Sequence, residues 1–203
     1  MKKNKFSKSW VNKQSRDIYV RQSKIEGYRS RAVYKLQEIN NKFNILKNSI
    51  NIVDLGAAPG SWSQFVSRKF KNSKILSIDL NEMESIENTF QLTGDFKDEI
   101  IQKKIIDYFD DKIDVVISDM AVNTTGNKNL DSLVTGELTI EALKFSTNAL
   151  IKKGSFISKI FMGTSFKEIV KLAKKKFKEV HIFKPLASRK DSKENFMICK
   201  HLK

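Results

Sequence analysis

Cysteine is almost missing from this chain: Cys199 is the only one in 203 residues, which excludes a disulfide framework and a multi-cysteine zinc site. His181 and His201 have no cysteine or acidic ligand at metal spacing, so no metal is expected. No run approaches the ~18 consecutive apolar residues of a membrane span, and no segment joins a clean apolar face to a lysine rim as a membrane anchor would. The N-terminus also lacks the apolar stretch of a cleavable signal peptide. Acidic residues are in short supply, 23 Asp+Glu against 38 Lys+Arg, which leaves a formal charge of +15 and a long-range attraction for phosphate polymers.

What is present points to a folded protein. A hydrophobic content of 40% with 14 Phe is too high for intrinsic disorder. The length suits one domain that can bury a core without metals or disulfides. We therefore expect a single domain over 1–203, a monomer without membrane association, preceded by a basic arm and helix at about 1–45. Residues 1–35 hold eleven Lys or Arg against Asp17 and Glu26, interleaved with Phe6, Trp10, Tyr19, Tyr28 and Tyr34. That composition suits phosphate contact and base stacking. A solvated tail or an organelle-targeting peptide is the competing reading.

From about Asn48 the pattern alternates short β-branched runs with helical stretches. Strands are expected at 50–55, 74–80, 113–120, 154–161, 178–185 and 195–202, with a weaker one at 90–93. Helices are expected at 60–71, 97–109, 130–152 and 164–177. This alternation implies an α/β fold whose sheet is mostly parallel, with helices on both faces. The last two strands have no helix between them, so one should run antiparallel.

In such sheets ligands bind beyond the C-terminal strand ends. The unusual residues collect there. In a chain with two prolines and eight glycines, the turn after the first strand holds Gly56, Pro59 and Gly60 around Ala57 and Ala58. Glycine allows close backbone approach to a ligand, and the alanines leave room beside it. The spacing is G-x-x-x-G rather than the dinucleotide G-x-G-x-x-G, which opposes an NAD reading. A tight turn without a ligand is the alternative. Asp79 ends the second strand about 20 residues on, where a carboxylate can accept from ribose hydroxyls. Asp95 follows the weak strand and is placed for an adenine amino group. Each carboxylate alone could equally be a cap or turn residue.

The strings VDLGAAPGSWSQ, SDMAVNTTG, SFISKIF and KPLASRKDSKENF, preceded by RSRAVYKLQEI, resemble the FtsJ-like ribose 2′-O-methyltransferases, and within them those that act on a uridine of large-subunit ribosomal RNA. The resemblance covers essentially the whole chain. It implies a Rossmann-like fold of seven strands that binds S-adenosylmethionine, with ribosomal RNA or the large ribosomal subunit as partner. By position it implies a catalytic tetrad of Lys35, Asp119, Lys159 and Glu194. It also implies cofactor contacts from Gly56, Ala57, Pro59, Gly60, Trp62, Asp79, Asp95 and Asp119. RNA contacts are expected from Arg29, Arg31, Lys35 and Arg189. Two positions depart from the family pattern: Val122 stands where proline is usual, and Phe196 where a tyrosine commonly follows the Ser-x-Glu stretch.

The chemistry is coherent on its own terms. A ribose hydroxyl is a poor nucleophile at neutral pH, so an enzyme must align it and manage one proton. Burial of Lys159 in FISKIF favours a neutral amine that could take the proton, whereas Asp119 nearby favours an ammonium that orients the oxygen. Sequence leaves both open. Other readings are methylation of a tRNA anticodon loop or an mRNA cap, a non-catalytic RNA-binding assembly factor, and an NAD-dependent oxidoreductase. The short chain favours ribosomal RNA over the first pair, and the intact tetrad opposes the assembly factor. A bacterial owner would place the protein in the cytoplasm; a eukaryotic one could place it in a mitochondrion or another organelle.

Overall fold

The computed structural model describes residues 17–121 and 128–203; most of the basic arm, with Phe6 and Trp10, and the Val122 departure lie outside the described residues. Two helices come first, α1 (Ile18–Ile25) and α2 (Val33–Phe43). They precede β1 (Asn51–Leu55), α3 (Ser61–Lys69), β2 (Lys74–Asp79), β3 (Thr89–Thr93), α4 (Glu99–Tyr108) and β4 (Ile113–Ser118). The chain continues through α5 (Lys128–Ala149), β5 (Leu150–Phe161), α6 (Phe166–Lys176), β6 (Phe177–Phe183) and β7 (Glu194–Leu202). The strands form one seven-stranded sheet in the order β3-β2-β1-β4-β5-β7-β6.

Period-two alternation in the central strands divides the core in two. Ile52, Val115, Ile117 and Ile157 point to one face, where they meet Leu36 and Ile39 of α2 and Phe65 and Val66 of α3. Val53, Leu55, Val116 and Phe156 point to the other, against Ile105 of α4, Leu143 and Phe145 of α5, and Ile169 of α6. Strands buried on both faces require near-continuous apolar runs, which is why IVDL and VVIS read as they do. Cys199 lies inside this core, and burial pushes its thiol pKa up, which leaves it an unreactive packing residue.

β1 to β5 run parallel, and β7 enters antiparallel between β5 and β6. The reversal expected at the C-terminal end therefore belongs to β7. It has a functional consequence: the start of β7, not its end, lies at the edge where β1 to β5 finish. Glu194 thus pairs with Phe161, and Phe196 with Lys159. The N-terminal helical segment is two helices, with Asp17 capping the first by accepting from the Tyr19 and Val20 N–H groups. The fifth strand begins at Leu150, inside the span expected to be helix, because Leu150 already pairs with Ile113 before residues 151–154 bulge out and pairing resumes at Val115 and Ser155. The sixth strand stops at Phe183, ahead of Lys184 and Pro185.

Candidate active site

β4 ends at Ser118, and the next residue places a carboxylate at the strand terminus. Asp119 is flanked by two ammonium groups, Lys159 Nζ at 3.1 Å from Oδ1 and Lys35 Nζ at 3.5 Å from Oδ2. Lys35 Nζ also donates to Glu194 Oε2 at 2.9 Å, and Ser188 Oγ donates to Glu194 Oε1 at 2.8 Å. The order is therefore Lys159, Asp119, Lys35, Glu194, with alternating charge. Four elements supply it: β5, the end of β4, α2 and the start of β7. All four side chains are largely buried, Lys159 the most at 8% exposure.

Burial alone would push a carboxyl pKa up and a lysine pKa down. For Asp119 burial is opposed by Lys159 and Lys35, which win and hold it below the ordinary carboxylate range. Burial likewise works against the Lys35 ammonium, but Asp119 and Glu194 overcome it and raise its pKa. At neutral pH Lys35 is a fixed cation and Asp119 a fixed anion. Lys159 Nζ donates to the Asp119 backbone carbonyl at 2.5 Å and stands 3.1 Å from Oδ1 of the same residue, so one ammonium serves both groups. Asp119 Oδ1 is buried and faces the Lys159 ammonium. A carboxylate oxygen can accept a second donor beside that ammonium.

Beside this cluster opens a cavity of about 860 Å³, lined by Gly56, Ala58, Asp79, Asp95, Asp119 and Lys159 among others. Ile78, Leu80, Phe96, Met120 and Leu138 add apolar surface. Gly56 has φ +68, and a Cβ there would lie 2.0 Å from Met120 Cγ, so only glycine fits the turn. The loop is held from beneath by its own backbone: Gly56 and Ala57 donate to Ile78 O, and Ala58 N to Asp79 Oδ2 at 3.0 Å. Asp79 Oδ1 accepts from Asn81 N at 2.9 Å. Asp95 Oδ1 accepts from Lys97 N at 3.0 Å. An apolar slot with carboxylates at the second and third strand ends fits a nucleoside, and the acidic groups Asp119, Glu137 and Glu141 along it suit a cationic tail.

Not every expected site residue lies at this cavity. Ala57, Pro59 and Gly60 shape the loop without lining the cavity. Trp62, expected at the cofactor, is 2% exposed on the opposite core face, where its ring packs on Phe196 and its Nε1 donates to Ala32 O at 2.8 Å. The helix that follows the loop turns this side chain under α2 rather than toward the ligand side. Arg31 and Arg189 do share a hollow of about 240 Å³ with Lys35 and Glu194. Arg31 also binds Asp17 and the Ala187 carbonyl. Burial and then the like charge of Arg189 lower the Arg31 pKa, against Glu194. Arg29 lies elsewhere, with its guanidinium on the Pro59 and Ser85 carbonyls. Ser30 Oγ pairs with Ser61 Oγ at 2.8 Å and accepts from Ala32 N at 3.3 Å.

Several site residues have no counterpart in the sequence reading. Glu137 and Glu141 line the cavity, and their i, i+4 spacing was the available signal. Glu38 holds the loop after β6 by accepting from the Leu186 and Ala187 N–H groups at 2.6 and 2.8 Å. That contact spans most of the chain, and no local pattern announces it.

A family model described as FtsJ-like methyltransferase matches residues 28–202. The chain is 61% identical over 203 residues, covering 100% of both proteins, to a Pelagibacter ubique (strain HTCC1062) protein named ribosomal RNA large subunit methyltransferase E. A protein of the same name from Rickettsia akari (strain Hartford) is 44% identical, over 95% of this chain and 88% of the relative. Among solved structures, a Plasmodium falciparum chain described as a ribosomal RNA methyltransferase is similar with a TM-score of 0.78 and 34% identity, covering 86% of this chain and 98% of that one. The match spans the sheet, the glycine turn and every element that contributes to the alternating charge cluster, and on that ground the chain belongs to the FtsJ-like methyltransferase family.

Proposed function

We propose that this chain methylates the 2′-hydroxyl of a uridine ribose in large-subunit ribosomal RNA, with S-adenosylmethionine as the methyl donor. The observation that carries the reading is the buried pair of Asp119 and Lys159, 3.1 Å apart and both lining the nucleoside-shaped cavity. A ribose hydroxyl placed beside that pair can donate to the carboxylate. The choice of ribosomal RNA rests on the names of the Pelagibacter and Rickettsia relatives.

In this reading Gly56, Ala58, Asp79 and Asp95 hold the cofactor, with Ala57, Pro59 and Gly60 setting the loop's shape. Asp79 takes the ribose hydroxyls and Asp95 the adenine edge. When bound, S-adenosylmethionine supplies an electrophilic methyl group. The protein's own part is alignment and one proton. Asp119 Oδ1 accepts from the substrate hydroxyl and fixes its direction, and Lys159 stands beside the same oxygen. Lys159 and Lys35 together keep Asp119 ionised, and Asp119 and Glu194 keep Lys35 charged. Arg31, Lys35 and Arg189 present a cationic hollow next to the ribose position, suited to a flanking phosphodiester. The chain acts as one domain over 1–203, with the basic residues before α2 adding RNA affinity. No helix among the described residues is long and apolar enough to cross a membrane. The Pelagibacter and Rickettsia relatives are bacterial, so we place the protein with ribosomes in the cytoplasm.

The test is to incubate large ribosomal subunits from a strain lacking the modification with labelled S-adenosylmethionine and map the product. Label on one uridine ribose of the large-subunit RNA is expected. Label confined to tRNA or capped RNA would transfer the assignment to those substrates. Tight RNA binding with no label on any RNA would leave an assembly factor.

A further inference from the structure

Arg29 belongs to a basic stretch, yet its side chain faces inward. The side chain is 16% exposed, and both terminal nitrogens are engaged: Nη1 donates to Pro59 O and Nη2 to Ser85 O, each at 3.0 Å. The guanidinium lies against Gly60, where an added Cβ would come within 2.8 Å of Nη1. Gly60 has φ +103, so its missing side chain serves both the turn and the close approach of this arginine. The Arg29 backbone N–H donates to Gln64 Oε1 at 2.9 Å.

These contacts form part of a seam. Ser30 Oγ pairs with Ser61 Oγ, and Trp62 Nε1 donates to Ala32 O, both at 2.8 Å. From the other side, the Arg68 guanidinium of α3 donates to Glu26 O and Gly27 O and lies over the Tyr28 ring. The turn between α1 and α2 is thus bonded to the glycine loop and α3 along its length. Arg29 also reaches the β2–β3 connection, through Ser85. The loop is held from the sheet side by Ile78 and Asp79 and from the outer side by Arg29.

We infer that Arg29 is a positioning residue for the cofactor loop, not a phosphate contact: it clamps the Pro59 carbonyl to the β2–β3 connection and ties both to the segment that carries Arg31 and Lys35. A planar guanidinium can serve two carbonyls at once in fixed directions. A lysine ammonium keeps the charge but is a single point with a different reach. The two substitutions therefore separate the clamp from simple charge. The inference rests on the methyl-donor reading of the cavity. Binding of S-adenosylhomocysteine to the unaltered protein tests that reading separately.

The experiment compares the full-length protein with Arg29→Lys and Arg29→Ala. S-adenosylhomocysteine affinity is measured by calorimetry, and RNA affinity across a salt series. Both variants are expected to bind S-adenosylhomocysteine about 10-fold more weakly, as loss of charge-assisted hydrogen bonds on the loop requires. The loss should appear in KM for the methyl donor rather than in kcat, and the slope of log RNA affinity against log salt should equal that of the unaltered protein. Arg29→Lys carries the test if Arg29→Ala does not fold. The inference is overturned if Arg29→Lys binds S-adenosylhomocysteine as the unaltered protein does. It is equally overturned if the salt slope of Arg29→Ala falls by about one phosphate contact with cofactor affinity intact. Failure of the unaltered protein to bind S-adenosylhomocysteine would sink the methyl-donor reading itself.

Discussion

Asp119 holds two lysines of different standing. Lys35 is fixed as a cation by Asp119 and Glu194, so it cannot serve as the proton acceptor near neutral pH. Lys159 and the Asp119 Oδ1 beside it are left to handle the hydroxyl. Replacing Lys159 or Asp119 with alanine should therefore lower the single-turnover rate by at least about 100-fold with RNA and cofactor saturating. Lys35→Ala and Glu194→Ala should lose less. The Lys159→Ala, Asp119→Ala double variant should be little worse than the poorer single, since residues acting as a unit are not additive. A Lys159→Ala rate within about threefold of the unaltered enzyme would remove the assignment. A second carboxyl behaves in the opposite way. Asp54, in the centre of β1, is 1% exposed, and burial pushes its pKa up to about 7 although Ser63 Oγ donates to it at 2.6 Å. Its folded pKa exceeds the unfolded value near ~4, so the folded state holds the proton more tightly. Its contribution to stability is full below about pH 4 and is lost as pH rises toward 7, by up to ~1.4 kcal/mol per pH unit. Urea midpoints of Asp54→Asn should lack that decline; parallel profiles for the two proteins would show that Asp54 ionises freely.

At the scale of elements, the ends of β1 and β2 act together. Asp79 accepts from Ala58 N while facing the cavity, so it both lines the cavity and shapes the loop. Asp79→Ala should weaken S-adenosylhomocysteine binding by about 10–100-fold in calorimetry, the range set by one or two charge-assisted hydrogen bonds. Unchanged affinity in both Asp79→Ala and Asp95→Ala would remove the nucleoside argument. The glycine turn and the acid ending the next strand were legible in the sequence because both are local: a strand, a small-residue turn and a helix follow one another directly. The site's other half was not. Glu194 reaches the charge cluster because β7 inserts antiparallel, and Trp62 lies away from the cavity because α3 packs it beneath α2. Hydrophobic periodicity shows that a residue is buried without showing against which face's partners.

For the whole molecule, charge is the most telling property. A formal charge of +15 steers phosphate polymers toward the protein, and eleven of its cations fall within residues 1–35. Each phosphate neutralised releases condensed counterion, so RNA affinity should fall steeply with salt. Deleting residues 1–16 should flatten that slope and leave S-adenosylhomocysteine affinity intact. An equal slope would show that the arm takes no part in RNA binding. The expectation divides the basic residues by role: Arg31 and Arg189 border the ribose hollow, while Arg29 is turned inward to the cofactor loop.

The amino-acid sequence by itself determined the α/β alternation, the two-faced core, the glycine turn and the identity of the charged groups, since each depends on neighbours within a few residues. Only the tertiary structure decided which charges meet. Lys35, Asp119, Lys159 and Glu194 lie far apart along the chain and converge because four elements end at one edge of the sheet. Arg29 and Arg31 are two residues apart with the same side chain, yet one reaches Pro59 and Ser85 and the other Asp17 and Ala187. Side-chain type sets what a residue can bond to, and the packing of distant elements sets what is within its reach.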